Sequence, residues 1–201
     1  MGRLLPAALL LTIGLLPGTA WAAPATGAGV PGTSTRPASS PAATTPAPAP
    51  IVRLIQLDGH LYRGAQPDEA GFRYLRDIVG VDTVLSFRND TAEQTLVESL
   101  GMRFISIPMT YRPFMIGAAP TAEAVERFFE VVDDRSLGTV FFHCKRGADR
   151  TGTFAALYRV ARQGWKLDRA YDEARDVGMR WWYFPVKGRM ARLIADIPAT
   201  N

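Results

Sequence analysis

The residues of this chain best suited to covalent chemistry lie in the stretch HCKRGADRTG, residues 143–152, which contains the only cysteine, Cys144. An apolar run, residues 139–142, precedes the stretch and predicts a strand, and TGTFAALYRVARQ follows it and predicts a helix. A loop between a strand and a helix offers main-chain amides and the positive end of the helix dipole to an anion. The position therefore favours a reactive thiolate at Cys144 over a structural thiol.

The same loop can hold a phosphoryl group over the sulfur. The amides of residues 145–150 can curl into a nest around one centre, and the guanidinium of Arg150 can bind two phosphate oxygens as a fork. Gly147 allows the backbone to pass close to the anion. We predict that Cys144 attacks a bound phosphate monoester and forms a phosphocysteine intermediate. The predicted phosphate-binding residues are Lys145, Arg146, Gly147, Ala148 and Arg150.

Three neighbours of the predicted nucleophile each have a catalytic and a structural interpretation. Thr151 could donate its hydroxyl to the sulfur and assist its departure, or it could simply begin the helix. Asp149 could protonate the leaving oxygen, or it could be the partner of an arginine. His143 could fix the loop by donating to nearby backbone, which is compatible with an ordinary buried histidine. The residues alone leave these alternatives open.

The elements that must position this loop alternate between strands and helices. We predict strands at 51–56 (an edge strand), 60–67, 81–87, 102–109 and 137–143, and helices at 68–80, 91–101, 121–134, 151–163, 167–178 and 185–196. The apolar positions expected to face the core in the first helix are Phe72, Leu75, Ile78 and Val79, and Asp68 is expected to cap that helix. The helix at 121–134 is expected to start at Thr121 and to carry the apolar stripe Val125, Phe128, Phe129 and Val132. This alternation predicts the α/β class, with a central, mostly parallel sheet flanked by helices. Ligands bind such sheets beyond the carboxyl ends of the strands, which is where residues 143–152 fall.

The N-terminal quarter of the chain is not expected to belong to this domain. Residues 1–22 combine Arg3, an apolar run at 4–16 and an Ala-Trp-Ala site, which is typical of a cleaved signal peptide. A membrane anchor is the alternative, but the run is shorter than the roughly 20 residues of a spanning helix. Residues 23–50 are dominated by Ala, Pro, Thr, Ser and Gly and predict a disordered tether. The folded domain is then 51–201, and the protein is expected to be periplasmic or secreted.

Charge and residue counts exclude several classes of function. Two of the 23 basic residues, Arg3 and Arg36, precede the domain and all 19 acidic residues lie within it, so its net charge is 21 − 19 = +2. This balance argues against nucleic-acid binding and favours a local phosphate site. With His60 and His143 as the only histidines and one cysteine, we expect no metal, no cofactor and no intramolecular disulfide.

The motif Cys144, five residues, Arg150 and Thr151, between a predicted strand and helix, resembles the signature of the cysteine-dependent protein tyrosine phosphatase superfamily. The segments LYRGAQP, VDTVLSFRND, ISIPM, HCKRGADRTG and ALYRVARQGW, in this order over about residues 60–180, resemble the bacterial dual-specificity-like tyrosine phosphatases. The resemblance implies a phosphatase-like fold of that family. It also implies that Cys144 is the nucleophile, Arg150 binds phosphate, and Thr151 assists departure of the thiolate.

The chain departs from this family in one respect. The family usually carries a general-acid aspartate on the loop after the strand written here FISIPM, but residues 102–122 contain no Asp or Glu. An aspartate directly before the signature arginine, as in Asp149–Arg150, is also seen in myotubularin-like and Sac-type phosphoinositide phosphatases and in some secreted bacterial phosphatases. The resemblance to that group makes Asp149 the candidate acid.

The substrate class is open between two kinds of phosphate monoester. We predict an exported phosphatase acting on phosphotyrosine in proteins, of the dual-specificity type. Lys145 and Arg146 add two charges that would also suit an inositol phosphate or phosphoinositide, and a phosphate-binding module without turnover is a third possibility. Tyr111, Arg112 and Phe114 could line the mouth of the site or pack within their loop. We expect a monomer whose partner is the phosphorylated substrate, with no nucleic acid and no membrane span after signal cleavage.

Overall fold

The structure is a computed structural model that describes residues 50–109, 120–180 and 185–197. These residues lie in one compact unit, Pro46–Asn201. The predicted signal peptide and all but the last residue of the predicted tether lie outside the described residues. So do Tyr111, Arg112 and Phe114. Within the described ranges, no helix is both long and apolar enough to cross a membrane.

Five strands form one sheet in the order β1-β2-β5-β3-β4. Their bounds are β1 Ile55–Asp58, β2 Leu61–Ala65, β3 Thr83–Ser86, β4 Arg103–Ser106 and β5 Val140–Cys144. Strands β2, β5, β3 and β4 are parallel, and only the edge strand β1 is antiparallel to its neighbour. All five residues of β5 are buried, as the apolar run at 137–143 predicted for a central strand.

Helices cover both faces of this sheet. Their bounds are α1 Glu69–Tyr74, α2 Gln94–Ser99, α3 Ala122–Asp133, α4 Asp149–Gln163, α5 Leu167–Asp176 and α6 Pro185–Ile194, with a π-helical turn at Leu75–Val79 and a 3-10 turn at Arg135–Leu137. Phe141 packs with residues of α1 and α2, whereas Val140, Phe142 and Cys144 pack with residues of α3 to α6. The α/β class with a mostly parallel sheet flanked by helices is therefore confirmed.

Two helices begin as their sequences predicted. The side chain of Asp68 accepts a hydrogen bond from the amide of Gly71 at the start of α1. The hydroxyl of Thr121 accepts one from the amide of Ala124 at the start of α3. The predicted apolar stripe of α3 is buried, and its members are Val125, Phe128, Phe129 and Val132. These caps define where α1 and α3 begin.

Two local predictions were wrong. The first strand begins at Ile55 and not at Ile51, because Arg53 takes a left-handed conformation (φ 59°) that interrupts the extended chain. Ile78 does not face the core and is 70% exposed. The predicted helix ends as the π-helical turn, whose i→i+5 hydrogen bonds change the angle between successive side chains. The α-helical spacing used to assign Ile78 to the core therefore does not apply there.

Candidate active site

Strand β5 and helix α4 position the predicted catalytic loop. Cys144 is the last residue of β5, and α4 begins at Asp149, two residues before the predicted start of the helix. Asp149 and Arg150 therefore lie in the first helical turn. Between them, Gly147 has a left-handed φ of 65°. A Cβ added there would lie 2.3 Å from the backbone nitrogen of Ala65. Gly147 is therefore required by the close approach of the loop to β2, a reason that the sequence did not show.

The Cys144 thiol is buried and yet acidic. Its residue is 3% exposed, and burial alone would raise its pKa. The hydroxyl and amide of Thr151, the charge of Arg150 and the amide of Gly147 outweigh burial, so that the pKa of Cys144 lies below its ordinary value. These groups stabilise the anion by hydrogen bonding and by charge. The loop thus places a readily ionised thiol at the carboxyl end of the sheet.

Arg150 is oriented by backbone at the ends of two neighbouring strands. Its Nη1 donates to the carbonyl oxygen of Phe87 at 2.5 Å and to that of Met109 at 3.0 Å. Phe87 directly follows β3, and Met109 lies three residues after β4. Among the described residues, both hydrogen bonds of Arg150 involve this one terminal nitrogen. The rest of the guanidinium can then serve a phosphate, as the fork geometry requires.

Thr151 lies against the nucleophile. Its hydroxyl is fully buried and makes no hydrogen bond of full geometry with a described residue. Its proximity nevertheless makes it the largest of the influences that lower the pKa of Cys144. A buried hydroxyl without another acceptor is costly unless the sulfur takes the bond when it carries charge. This placement fits the role of assisting thiolate departure better than that of a helix-start residue alone.

Asp149 forms a hydrogen bond and an ion pair with Arg180. Its Oδ1 accepts from the backbone nitrogen of Arg180 at 3.0 Å, and its Oδ2 lies 2.5 Å from Nη2 of the same residue. Nη1 of Arg146 is also 3.8 Å from Oδ2. Asp149 is 5% exposed. The arginine-partner interpretation is therefore present in the structure, and the acid role of Asp149 stays a prediction.

The remaining predicted phosphate-binding residues divide between rim and floor. Lys145 and Arg146 are exposed, whereas Ala148 is fully buried. The carbonyl of Arg146 accepts a hydrogen bond from Arg53 at 3.2 Å, which ties the rim to the turn before β1. The loop thus presents two cationic side chains to solvent around a buried thiol.

His143 is completely buried beneath the loop. Burial lowers its pKa to about 3, and an interaction with the backbone of Cys144 only partly opposes this shift. The ring is therefore neutral at physiological pH. It stacks on Phe141 at 5.6 Å, and its Nε2 lies 3.3 Å from Oε1 of Glu93. The predicted donation to backbone is present only as the interaction with Cys144, which lacks full hydrogen-bond geometry.

Glu93 is a site residue that the sequence analysis missed. It is 5% exposed, its Oε1 accepts from Ser86 Oγ at 2.8 Å, and its Oε2 accepts from Gln66 Nε2. Burial raises the pKa of its carboxyl, although both hydrogen bonds oppose the shift. A signal was present in the sequence. The segment that follows β3 starts at the same end of the sheet as the catalytic loop, because the carboxyl ends of parallel strands lie on one side.

A second missed residue is Arg63 of β2, which is 1% exposed and donates from Nη2 to the carbonyl oxygen of Gly147 at 2.7 Å. In the sequence it was a charged residue between the apolar Leu61 and Ala65 of a predicted strand, on the face expected to be buried. Within the described part of the chain, no three or more His, Cys, Asp or Glu side chains are grouped so that they could hold a metal ion.

Comparison with known proteins agrees with this geometry. Over 129 residues the chain is 31% identical to the dual specificity protein phosphatase TpbA of Pseudomonas aeruginosa, covering 64% of this chain and 56% of TpbA. The chain thus spans about half the length of that curated relative.

Two solved structures show the same fold. The catalytic domain of the Saccharomyces cerevisiae PP-IP phosphatase Siw14, bound to citrate, is 18% identical and superposes with a TM-score of 0.61, over 73% of this chain and 93% of that one. A cysteine-to-serine variant of P. aeruginosa TpbA in complex with phosphotyrosine is 26% identical, with a TM-score of 0.51 over 73% of this chain and 99% of that one.

A family model supplies the assignment. The model described as "DSP-PTPase phosphatase fused to NAD+ Kinase" matches residues 54–180, which is more than half of the chain and includes β1 to β5, Cys144 and Arg150. The expected resemblance to the dual-specificity-like tyrosine phosphatases is therefore confirmed, and the chain belongs to this phosphatase family.

Proposed function

We propose that this protein is an exported, cysteine-dependent phosphatase that hydrolyses phosphate monoesters in proteins, above all phosphotyrosine, through a phosphocysteine intermediate. The observation that carries the proposal is the state of Cys144, a buried thiol with a lowered pKa at the N-terminus of α4. Its neighbours, Arg150 and the loop amides, are groups that bind phosphate oxygens. A thiol that served only to fill the core would not need an arginine and several hydrogen-bond donors around its sulfur.

In the first step the Cys144 thiolate attacks phosphorus. The S–P bond forms as the bond between phosphorus and the leaving oxygen breaks, and that oxygen takes a proton from Asp149 or from water. The loop amides and Arg150 stabilise the charge on the three non-bridging oxygens during transfer. The fixed position of Arg150, set by the carbonyls of Phe87 and Met109, means that little reorganisation is needed.

In the second step a water molecule attacks phosphorus and the S–P bond breaks. The electron pair returns to the sulfur, which leaves as a thiolate. The proton that the attacking water gives up returns to Asp149, or to the solvent where water served as the acid, and inorganic phosphate is released. The buried hydroxyl of Thr151 donates to the departing sulfur, because no other acceptor of full geometry is available to it among the described residues. The nucleophile is then regenerated in its starting ionisation state.

Two observations bear on the substrate. The phosphotyrosine complex of TpbA, a relative at 26% identity, supports phosphotyrosine. The exposed Lys145 and Arg146 at the rim favour a second candidate, an inositol phosphate or phosphoinositide, because they offer charge to additional phosphates. The likeness to Siw14, at 18% identity, concerns the fold alone. We place phosphotyrosine first because a relative of the same family supports it directly.

The test compares phosphate release from a phosphotyrosine peptide and from an inositol polyphosphate by kcat/KM, with Cys144→Ser as the blank and Lys145→Ala/Arg146→Ala as the rim variant. We expect faster turnover of the peptide and little change in the rim variant. Preference for the inositol substrate, lost in the rim variant, would establish the second candidate. Phosphate binding without turnover of either substrate would contradict catalysis and identify a phosphate-binding module.

Export is the part of the proposal that rests on residues 1–22. The short basic start, the apolar run and the Ala-Trp-Ala site support cleavage after residue 22. Mass spectrometry of the protein recovered from the periplasm or medium should find Ala23 at its N-terminus. An intact Met1 in the cytoplasmic fraction alone would contradict export.

A further inference from the structure

Beneath the catalytic loop lies a second arginine, Arg63, the middle residue of β2. The parallel register pairs Arg63 with Phe142 and Ala65 with Cys144. Because side chains alternate along a strand, Arg63 and Cys144 project from the same face of the sheet. That face is covered by α4 and α5, and Nη2 of Arg63 would lie 3.8 Å from a Cβ placed on Gly152 of α4. A cation is thus buried between the sheet and α4, the helix that follows the catalytic loop.

The contacts of Arg63 account for only part of its guanidinium. Nη2 donates to the carbonyl oxygen of Gly147 at 2.7 Å, whereas Nε and Nη1 are buried without a hydrogen-bond partner among the described residues. No carboxylate of the described ranges lies within ion-pair distance of Arg63. Glu173 acts on it from further away and is already paired with Arg159 at 2.8 Å. Arg63 therefore has no neighbouring carboxylate to balance its charge.

A buried cation without a counter-charge is unfavourable, and its pKa records this. Burial lowers the pKa of Arg63 to about 10, while the negative charges of Glu173 and of the Cys144 thiolate oppose the shift. At neutral pH the guanidinium stays protonated. Glu173 has the larger effect on Arg63 but is already paired with Arg159, whereas the thiolate belongs to the loop that Arg63 supports through Gly147.

We propose that the ionised Cys144 is the counter-charge of the buried Arg63, and that Arg63 is a positioning residue which stabilises the thiolate from below and fixes the loop through the carbonyl of Gly147. Arg150 meets the phosphate from the open side of the site, whereas Arg63 never touches substrate. Arg150 thus both binds the phosphoryl group and lowers the pKa of Cys144, and Arg63 adds a second positive charge that does not contact the substrate. Interaction between the two charges is reciprocal, so removing one must change the ionisation of the other.

A merely structural role would need only the hydrogen bond to Gly147. Two substitutions separate the alternatives. Arg63→Gln keeps an amide donor for the carbonyl of Gly147 but removes the charge. Arg63→Lys keeps the charge but loses the planar guanidinium. The matched control is Arg127→Gln, an exposed arginine on α3.

The readout is alkylation of Cys144 by iodoacetamide, followed by mass spectrometry between about pH 5 and pH 9 on the purified chain. Cys144 is the only cysteine, so every adduct reports the same thiol. We expect Arg63→Gln to raise the alkylation midpoint by about one pH unit, which slows the reaction about tenfold below the midpoint. Arg63→Lys and Arg127→Gln should keep the wild-type midpoint.

Two results would overturn the proposal: an unchanged midpoint in folded Arg63→Gln, or an equal rise in the glutamine and lysine variants, which would mark a structural role. If Arg63→Gln does not fold, as judged by circular dichroism, the lysine variant decides: a wild-type midpoint supports the charge, and a raised one contradicts it. The inference rests on the proposed cysteine chemistry, but alkylation needs no turnover. Failure of the phosphatase assay and failure of this test are therefore distinguishable.

Discussion

Cys144 combines two properties that usually oppose each other, since burial raises the pKa of a thiol and yet this buried thiol has a lowered one. The resolution lies in the groups around the sulfur, which are the Thr151 hydroxyl and amide, the Arg150 charge and the Gly147 amide. Each is fixed by the start of α4 or by the loop before it. Because these groups are close in sequence to Cys144, the ten-residue motif alone was enough to predict it as the nucleophile, whereas the contribution that we propose for Arg63 comes from β2.

Asp149 offers the sharpest test at the scale of one residue. We expect Asp149→Asn to lower kcat about 10²-fold on phenyl phosphate and far less on para-nitrophenyl phosphate, because a good leaving group needs no protonation. Steady-state kinetics on the two esters would measure the difference. The control is Asp133→Asn, another arginine-paired aspartate, 2.7 Å from Arg162. An equal, modest effect on both esters would assign Asp149 to its pair with Arg180 alone.

At the scale of elements, the sequence predicted what depends on local pattern. The apolar run of β5, the stripe of α3 and the caps Asp68 and Thr121 are all read from neighbouring residues, and the structure confirms them. The exposed Ile78 lay beyond such reasoning, because a π-helical turn is set by packing and not by spacing.

The parts of the site that the sequence did not reveal come from other strands. Glu93 reaches His143 from the segment after β3, and Arg63 reaches Gly147 from β2, 84 residues away in sequence. Only the strand order brings these residues together. A charged residue in a buried strand position was the visible sign of Arg63, but its partner could not be known before the topology.

The loop between β5 and α4 gives a prediction with a matched control. Gly147 and Gly164 have nearly equal left-handed φ values of 65° and 67°, but a Cβ at Gly164 meets nothing within 4 Å, whereas one at Gly147 meets the backbone of β2. We expect Gly164→Ala to cost about 1 kcal/mol of unfolding free energy from backbone strain, without loss of activity.

Gly147→Ala should cost more, because the loop must also move away from β2, and the displaced amides should lower kcat/KM at least about 100-fold. Urea unfolding and phosphate release measure the two effects separately. Equal stability losses in both variants, with activity retained in Gly147→Ala, would show that the contact with β2 does not set the loop.

The connection from β3 to α2 gives a prediction about pH. Burial raises the pKa of Glu93 in the folded state above its unfolded value, so folding favours the protonated form. Any stability that Glu93 contributes is present below the unfolded pKa and is lost as the pH rises through the folded pKa. We therefore expect Glu93→Gln to be more stable than the wild type at pH 7, with the difference vanishing at about pH 4.

Denaturant unfolding at the two pH values would measure this, with the exposed Glu126→Gln of α3 as the control. A glutamine that destabilises equally at both pH values would mean that the hydrogen bonds from Ser86 and Gln66 need both oxygens of the Glu93 carboxyl group, whatever its ionisation. In that case the network beneath His143 would depend on the shape of the two-oxygen acceptor and not on its charge.

At the scale of the whole molecule, four parallel strands and one helix meet at the site. Strand β5 carries Cys144, the segments after β3 and β4 hold Arg150 in place, and β2 supports the loop through the hydrogen bond from Arg63 to Gly147. Central placement of β5 is what permits this, because an edge strand has a neighbour on one side only. At the opposite end of the sheet, Asp58 pairs with His60 and accepts a hydrogen bond from the hydroxyl of Tyr158.

A chain with one cysteine has no internal means of protecting it. A thiolate with a lowered pKa oxidises readily to a sulfenic acid, which a neighbouring thiol can usually rescue as a disulfide, but this chain holds no second thiol. We expect hydrogen peroxide to inactivate the enzyme in a single exponential phase and dithiothreitol to restore activity only after brief exposure. Longer exposure should add two oxygen atoms to Cys144 irreversibly, as intact-mass spectrometry would show.

The rate of this inactivation should follow the ionisation of Cys144. Replacing Thr151 with valine removes the hydroxyl that most lowers the pKa of the thiol, so we expect Thr151→Val to be oxidised several-fold more slowly at pH 7, and inorganic phosphate to protect the wild type by covering the sulfur. The control is Thr139→Val, which changes a threonine just before β5 that is not among the main groups lowering the pKa of Cys144. Equal rates in all three proteins would show that access to the buried sulfur, and not its ionisation, limits its chemistry. The lowered pKa of Cys144 would then no longer explain its reactivity. The rate of oxidation would be set by how often the loop opens and exposes the sulfur.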